Sequence, residues 1–124
     1  MTAPIRIDRV GAVATLTLDR PEAGNAIDIP MADVFLAAVL ECDADPDIRC
    51  VVLTGAGTMF CAGGDVKAFA AAGDATPALI KRLTAPLHAG VARLARMDKP
   101  LVTAINGAAA GAGFGPARGS DAQM

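Results

Sequence analysis

The sequence predicts an α/β fold with a mostly parallel sheet, and three features of its pattern support this class. CVVLTG at residues 50–55 is apolar on both faces and ends at a Gly, which is typical of a strand buried in a parallel sheet. KPLVTAING at residues 99–107 has the same character. The residues between these two runs carry apolar side chains at helical spacing. Because a strand, helices and a second strand make a crossover unit, both strands are expected in one sheet.

The N-terminal part of the sequence predicts a hairpin followed by a helix. AVATLTLDRP at residues 12–21 alternates between apolar and polar residues and stops at a Pro, as a half-buried strand does. IRIDRVG at residues 5–11 is its expected hairpin partner, with a turn near Gly11. From Pro30 the spacing becomes helical, and Asp28 is the expected N-cap. The apolar positions of this helix are Met31, Val34, Phe35, Ala38 and Val39.

Two helical segments are predicted between the buried strands. The first is short and covers residues 65–72. The second covers residues 76–97, and its interior Pro86 is expected to kink or split it, because Pro lacks a backbone N–H and its ring clashes with the preceding turn. The apolar residues of this second segment are Leu79, Ile80, Leu83, Leu87, Val91 and Leu94.

Composition limits the class of partner. The chain has 124 residues, 53% of them hydrophobic, which is enough for one compact core. A formal charge of -2 and the lack of a Lys/Arg run argue against nucleic acid and against an anionic membrane surface. Aromatic residues make up only 3% of the chain, so the stacking platforms of single-strand binders are missing as well.

The cysteines and the N-terminus bear on the cellular compartment. Cys42, Cys50 and Cys61 are odd in number and have no C-x-x-C spacing, which favours buried free thiols in a reducing cytoplasm. Charged residues occupy the place where a signal peptide would need an apolar stretch, and no apolar run is long enough to cross a bilayer. The sequence therefore predicts a soluble, cytoplasmic protein without a membrane partner.

Glycine-containing turns follow both buried strands, around residues 61–65 and 107–113. Ligands of open α/β sheets bind beyond the carboxyl ends of parallel strands, so the two turns are expected at one pocket. Glycine lets another group approach the main chain, and two convergent N–H donors would form an oxyanion hole for an acyl reaction. Judged by the residues alone, tight turns that use Gly for packing are the simpler explanation.

Three motifs resemble those of the crotonase family, the enoyl-CoA hydratase and isomerase superfamily. They are LDRPEAGNAID, FCAGGDVKAF and DKPLVTAINGAAAGAG, in family order, and the resemblance covers about residues 5–114. It implies a spiral of β-β-α units, truncated near its midpoint, with residues 1–114 as the N-terminal part of the core and residues 115–124 as an atypical tail. It also implies acyl-CoA thioester substrates and a homo-oligomer, either a trimer or a dimer of trimers.

The resemblance implies a set of site residues. The N–H groups of Gly64 and Ala112 are the expected oxyanion donors, and Asp65 is also expected to cap the following helix. No metal and no separate cofactor are implied, because coenzyme A is part of the substrate. The residues expected to contact the acyl-CoA are Ala23, Ala26, Ala62, Gly63, Gly64, Asp65, Val66 and Gly111.

The sequence departs from the family pattern where catalysis needs a carboxylate. Gly115 stands where hydratases carry a glutamate, and the second half of the family core is missing. Isomerase-type chemistry is therefore favoured over hydration. A non-catalytic acyl-CoA-binding or subunit-interaction module, and a gene fragment that does not fold stably, are the alternatives. Asp65 and Asp121 are the nearest carboxylates, but a capping role and a frayed terminus explain them better than a catalytic base.

Four other side chains have both a functional and a structural interpretation. A helix start beside Cys61 would lower the pKa of its thiol, although filling space is the favoured role. His88 is expected to be structural or solvent-facing because no nucleophile lies at a suitable spacing. Arg20 and Lys67 would suit the phosphates of coenzyme A, but solvated surface charges are the usual role of such residues.

Overall fold

The computed structural model describes residues 3–111 and 122–123. The strands are β1 (Ile5–Val10), β2 (Val13–Leu18), β3 (Cys50–Gly55), β4 (Met59–Cys61), β5 (Leu101–Ala104), β6 (Ala108–Ala109) and β7 (Ala122–Gln123). The α-helices are α1 (Ile29–Ala44), α2 (Val66–Ala72) and α3 (Thr76–Arg96), and 3₁₀ turns cover Pro21–Ala23 and Gly73–Ala75. The predicted elements are thus present, with strand ends shorter by one to three residues at several places, as is usual for pattern-based boundaries.

The main sheet has the strand order β1-β2-β3-β5-β7. β1 and β2 form the predicted hairpin, which turns at Gly11 with a positive φ of 59°. The pairs β2-β3, β3-β5 and β5-β7 are parallel. The prediction of a mostly parallel sheet is therefore confirmed. The two strands predicted as buried, β3 and β5, each have a neighbouring strand on both sides.

Helices α1 and α3 pack against each other over the core. Asp28 caps α1 as predicted, because its carboxylate accepts the Met31 N–H at 3.0 Å. Gly90 of α3 lies so close to Phe35 of α1 that an added Cβ would stand 2.5 Å from the ring. The fully buried side chains that fill the centre include Leu16, Val39, Val51, Leu53, Phe60 and Leu101.

Pro86 does not split α3, so that alternative was wrong. The helix runs unbroken from Thr76 to Arg96 with Pro86 buried inside it. Packing supplies the reason, because buried residues on both sides of the Pro face α1, and Arg82 binds Asp33 of α1 through two hydrogen bonds of 3.0 and 2.8 Å. The helix tolerates one missing backbone hydrogen bond because its partner helix fixes both halves.

A second sheet, which the sequence did not predict, joins β4 to β6 in parallel. Met59 pairs with Ala108 and Cys61 pairs with Ala109. Because β4 leads into the first glycine turn and β6 lies inside the second, this pair of short strands holds the two turns side by side. Among the helices in the described part of the chain, none has the length and apolar character needed to cross a bilayer.

Candidate functional site

An open cleft of about 760 Å³ lies between the 20–26 loop and the start of α2. Its wall combines small apolar residues with a few charged groups. This composition suits a ligand that has both an apolar and a polar part. The lining residues are Arg20, Glu22, Ala23, Ala26, Ala62, Gly64, Asp65, Val66, Lys67 and Ala68.

The main-chain N–H of Gly64 is the distinctive donor at this cleft. Gly64 forms a parallel β-bridge with Ile27, in which the Ile27 N–H donates to Gly63 O at 2.7 Å and the Asp65 N–H donates to Ile27 O at 2.9 Å. In such a bridge the residue between the two bonds directs its own N–H to the opposite side. Within residues 3–111 and 122–123, no acceptor pairs with the Gly64 N–H.

Glycine is required at positions 63 and 64 for two different reasons. Gly63 has φ of 102°, a conformation that residues with a Cβ rarely adopt. At Gly64 an added Cβ would lie 2.8 Å from Cζ of Phe69, so the space that a side chain would need is already filled by the ring. Both positions of this turn therefore favour glycine, and Gly64 is the one that lines the cleft.

The second glycine turn lies directly against the first. The Ala110 N–H donates to Cys61 O at 3.0 Å. A Cβ added to Gly111, where φ is 52°, would stand 3.7 Å from Cα of Gly63. The predicted approach of the two turns is thus seen for residues 107–111, whereas Ala112 lies outside the described residues.

Arg20 lines the cleft and binds groups of three neighbouring segments. Its guanidinium lies 3.4 Å from Asp28 and 3.3 Å from Asp65, and it also donates to the carbonyl of Ala26. Asp65 caps α2 as predicted, since its other oxygen accepts the Ala68 N–H at 3.1 Å. Arg20 is only 21% exposed, so the expectation of a solvated surface charge was wrong. The carboxylates of two helix caps hold this side chain in place.

Asn25 is a site residue that the sequence interpretation missed. Its side chain is fully buried, and its backbone has a positive φ of 57°. The amide oxygen accepts the main-chain N–H of Arg20 at 2.8 Å, while the amide nitrogen donates to the carbonyls of Ala56, just after β3, and of Met59 and Phe60 in β4. Asn tolerates the left-handed region better than most residues, so its place directly after Gly24 was the one available signal.

Comparison with known proteins identifies the family of this chain. The sequence profile described as Enoyl-CoA hydratase/isomerase matches residues 8–123. The chain belongs to this family. Its fold is accordingly the crotonase fold, and the resemblance that the three motifs indicated is confirmed.

Relatives in the enoyl-CoA hydratase/isomerase family carry different activities in their names. The protein named probable enoyl-CoA hydratase EchA14 of Mycobacterium tuberculosis is 38% identical over 114 residues, an alignment that covers 90% of this chain and 43% of the relative. The 1,2-epoxyphenylacetyl-CoA isomerase of Escherichia coli is 42% identical over 114 residues, covering 88% of this chain and 42% of the relative. The chain therefore spans less than half the length of these curated relatives.

A solved Pseudomonas aeruginosa structure superposes on nearly the whole of this family member. The TM-score is 0.90 at 38% sequence identity, and the match covers 99% of this chain and 53% of that chain. The predicted crotonase-like core of β-β-α units is thus confirmed over the described residues. The division at residue 114 into a core and an atypical tail stays a prediction.

The cleft brings together most of the residues that the family resemblance implied. Gly63 is buried beside the wall, and Gly111 lies in the neighbouring turn. Ala112, Gly115 and Asp121 lie outside the described residues, so their roles stay predictions. The residues on the cleft wall are Ala23, Ala26, Ala62, Gly64, Asp65 and Val66.

The remaining candidate side chains are Cys61, His88 and Lys67, and of these Cys61 has a structural role beside the site. Burial raises the pKa of the Cys61 thiol above its ordinary value of 9.0, so the suggestion of a lowered pKa was wrong. The Cys61 thiol donates to Asn25 O at 3.2 Å. His88 is exposed on α3, in line with the solvent-facing interpretation, and Lys67 lines the cleft with an exposed side chain. In the part of the chain described, no three His, Cys, Asp or Glu side chains are placed to hold a metal ion.

The buried thiols predict an alkaline loss of stability. Desolvation raises the pKa of Cys42 and Cys61 above 9.0 in the native state. Below pH 9 both thiols are protonated in the folded and unfolded chains, so the full stability is present. Above pH 9 the unfolded chain loses these protons first, and the free energy of unfolding falls until the higher native pKa is reached. Urea midpoints between pH 8 and 10 should therefore decline.

A double variant isolates this contribution. In Cys42→Ala/Cys61→Ala the two thiols are removed, and the urea midpoint should depend less on pH over the same range, although the chain is less stable at pH 8. An equal pH slope in the variant would contradict the assignment.

Proposed function

We propose that this chain binds an acyl-CoA thioester in the cleft beside α2 and polarises its carbonyl in an oxyanion hole of the enoyl-CoA hydratase/isomerase type. The observation that carries the proposal is the Gly64 N–H, which has no acceptor among the described residues and belongs to a residue that lines the cleft. Such a donor acts without reorganisation when charge develops on the carbonyl oxygen.

The second donor of the proposed oxyanion hole is the N–H of Ala112. Its support is indirect. A Cβ added to Gly111 would stand 3.7 Å from Cα of Gly63, so the described part of the second turn, residues 107–111, lies close to the turn that carries the first donor. Two donors on one oxygen would stabilise the enolate that forms when a base removes the α-proton of the thioester, whose negative charge then rests on that oxygen.

The proposed substrate is held by small residues. Ala23, Ala26, Ala62 and Val66 offer apolar surface for the acyl and pantetheine portions. Lys67 also lines the cleft, has no ion-pair partner among the described residues, and would offer its ammonium to a phosphate. Coenzyme A arrives as part of the substrate, and no separate cofactor is proposed. Assembly as a trimer or dimer of trimers, and a cytoplasmic location, are proposed on the family resemblance.

Isomerase-type chemistry is favoured over hydration because Gly115 offers no carboxylate to activate water. A second candidate is acyl-CoA binding without turnover. It is supported by Asp65, whose two oxygens are occupied by the Ala68 N–H and by Arg20, so this carboxylate is not free to act as a base. Only turnover separates these two candidates, since both use the same cleft.

Carbonyl polarisation can be measured directly. Bound crotonyl-CoA, labelled with ¹³C at the thioester carbonyl, should show a lower carbonyl stretching frequency than the free ligand in difference infrared spectra. The matched thioether, which lacks the carbonyl, should bind about 30-fold more weakly, since it forgoes two hydrogen bonds worth about 1 kcal/mol each. Equal affinity of both ligands together with an unshifted frequency would refute the oxyanion hole. Double-bond migration or hydration of the same ligand would favour the enzyme over the binding module.

A further inference from the structure

Two asparagine side chains bind the same short segment, residues 55–60. This segment, called here the 55–60 loop, runs from the last residue of β3 into the first two residues of β4. Asn25 reaches it from the cleft side. Its amide nitrogen lies 2.9 Å from Ala56 O, 3.0 Å from Met59 O and 3.1 Å from Phe60 O. One side chain thus ties the 20–26 loop, which forms one wall of the cleft, to three carbonyls of the 55–60 loop.

Asn106 reaches the 55–60 loop from the second glycine turn. Its amide oxygen accepts the Gly55 N–H at 3.1 Å, and its amide nitrogen donates to Gly57 O at 3.0 Å and to Met59 O at 3.1 Å. The Met59 carbonyl therefore accepts from both asparagines. In each case the orientation of the amide is determined by its partners, because a flipped amide would set its oxygen against carbonyl oxygens.

Gly55 lets both amides come close. A Cβ at this position would lie 3.0 Å from the Asn25 amide nitrogen, 3.0 Å from the Asn106 amide oxygen and 2.6 Å from Phe60 O. The two amides and the loop are therefore packed around one residue that has no side chain. We refer to Asn25, Asn106 and the 55–60 loop together as the asparagine clamp.

The asparagine clamp connects the three segments that make the site. The 55–60 loop leads through β4 to the first glycine turn, Asn106 directly precedes the second turn, and Asn25 lies next to Ala26 on the cleft wall. We propose that Asn25 and Asn106 are positioning residues that hold the Gly64 donor at a fixed distance from the second glycine turn, residues 107–111, by fixing both turns to one loop. This inference rests on the proposed function.

The first test is amide hydrogen exchange in the 124-residue chain. The Ala62 N–H donates to Gly24 O at 2.9 Å, and the Ala110 N–H donates to Cys61 O at 3.0 Å, so these two amides report how firmly the turns are held. In Asn106→Ala both amides should exchange about tenfold faster. This is the effect expected when the free energy of local opening falls by about the worth of one hydrogen bond. Asn106→Asp keeps the acceptor for Gly55 but loses the two donors, and it should give the same direction of change.

A matched control separates this effect from general loss of stability. Asp33 is exposed like Asn106 and makes two side-chain hydrogen bonds against the three of Asn106, but its partner is Arg82, which joins α3 to α1 away from the cleft. Asp33→Ala should leave the exchange rates of the Ala62 and Ala110 amides unchanged.

The Asn25 side chain is less suited to the test. Asn25→Gly keeps the positive φ at position 25, but it removes the donors from a buried site and is expected to unfold readily. Asn106 therefore carries the test.

The second test uses bound crotonyl-CoA. Its carbonyl frequency should return part of the way to the free value in Asn106→Ala and stay lowered in Asp33→Ala. If both turns keep their exchange rates in Asn106→Ala, the clamp is refuted whatever the ligand does. If exchange accelerates but the carbonyl shift is retained, the positioning role is wrong and the proposed function stands. If the unsubstituted chain shows no carbonyl shift, the proposed function fails and the catalytic positioning role fails with it.

Discussion

Gly107→Ala is expected to destabilise the native state by about 3 kcal/mol, the upper part of the range for overpacking a rigid interior. An added Cβ would stand 2.0 Å from Thr58 O and 2.9 Å from Thr58 C. These are backbone atoms of the 55–60 loop, which the Asn25 and Asn106 amides hold in place, so the loop cannot move away without losing hydrogen bonds. The measurement is the urea midpoint at constant m-value.

Gly73→Ala is the matched control for this prediction, because it is the same chemical change without the contact. Gly73 has a φ of 55°, and nothing lies within 4 Å of the added Cβ. With φ of 55° and ψ of −122° this backbone conformation favours glycine, so only backbone strain of about 1–2 kcal/mol, without a clash, is expected there. If the two variants lost the same stability, the close approach of the second turn to the 55–60 loop would not be a determinant of the fold. A larger loss in Gly107→Ala supports this contact as the point where the site is assembled.

The sequence revealed the elements whose signal is local. β3 and the strand at Leu101–Ala104 are apolar on both faces, so each could be recognised as a buried strand without knowledge of its partner. Helix α1 has apolar residues at helical spacing and a capping Asp28. The two short strands β4 and β6 have three and two residues, which is too few to establish a period of two. Their pairing depends on contacts between distant parts of the chain.

In the candidate site, too, residues with a local sequence signal were predicted and residues that depend on distant contacts were not. The Gly63–Gly64 pair was recognisable because it follows a buried strand and precedes a helix. Arg20 was not, since its partner Asp65 lies 45 residues further along the chain. Asn25 contacts carbonyls 31 to 35 residues away, and no spacing rule connects an amide to backbone groups at such separations. Sequence patterns therefore predicted the two glycine turns but not the side chains that hold them in position.

Replacing the Gly64 amide by an ester is expected to lower the rate of thioester α-proton exchange about 100-fold to 1000-fold, the usual effect of removing one oxyanion donor. Glycolic acid installed at position 64 changes only the N–H to an oxygen, which avoids the contact of 2.8 Å that a Cβ would make with Phe69. The rate is measured as deuterium uptake at the α-carbon of bound butyryl-CoA. An imidazole buffer serves as the base, so the result does not depend on a carboxylate of the chain.

An ester at position 62 distinguishes the oxyanion role from a general weakening of the turn. The Ala62 N–H is used inside the protein, where it donates to Gly24 O at 2.9 Å. Lactic acid at this position keeps the methyl group and should lower the free energy of unfolding by about 1 kcal/mol, while exchange in the bound, folded state continues at nearly the original rate. The Gly64 ester should show the opposite pattern, because its N–H has no acceptor within residues 3–111 and 122–123. Equal losses of exchange rate in the two esters would mean that Gly64 contributes to the shape of the turn rather than to the charge on the carbonyl oxygen.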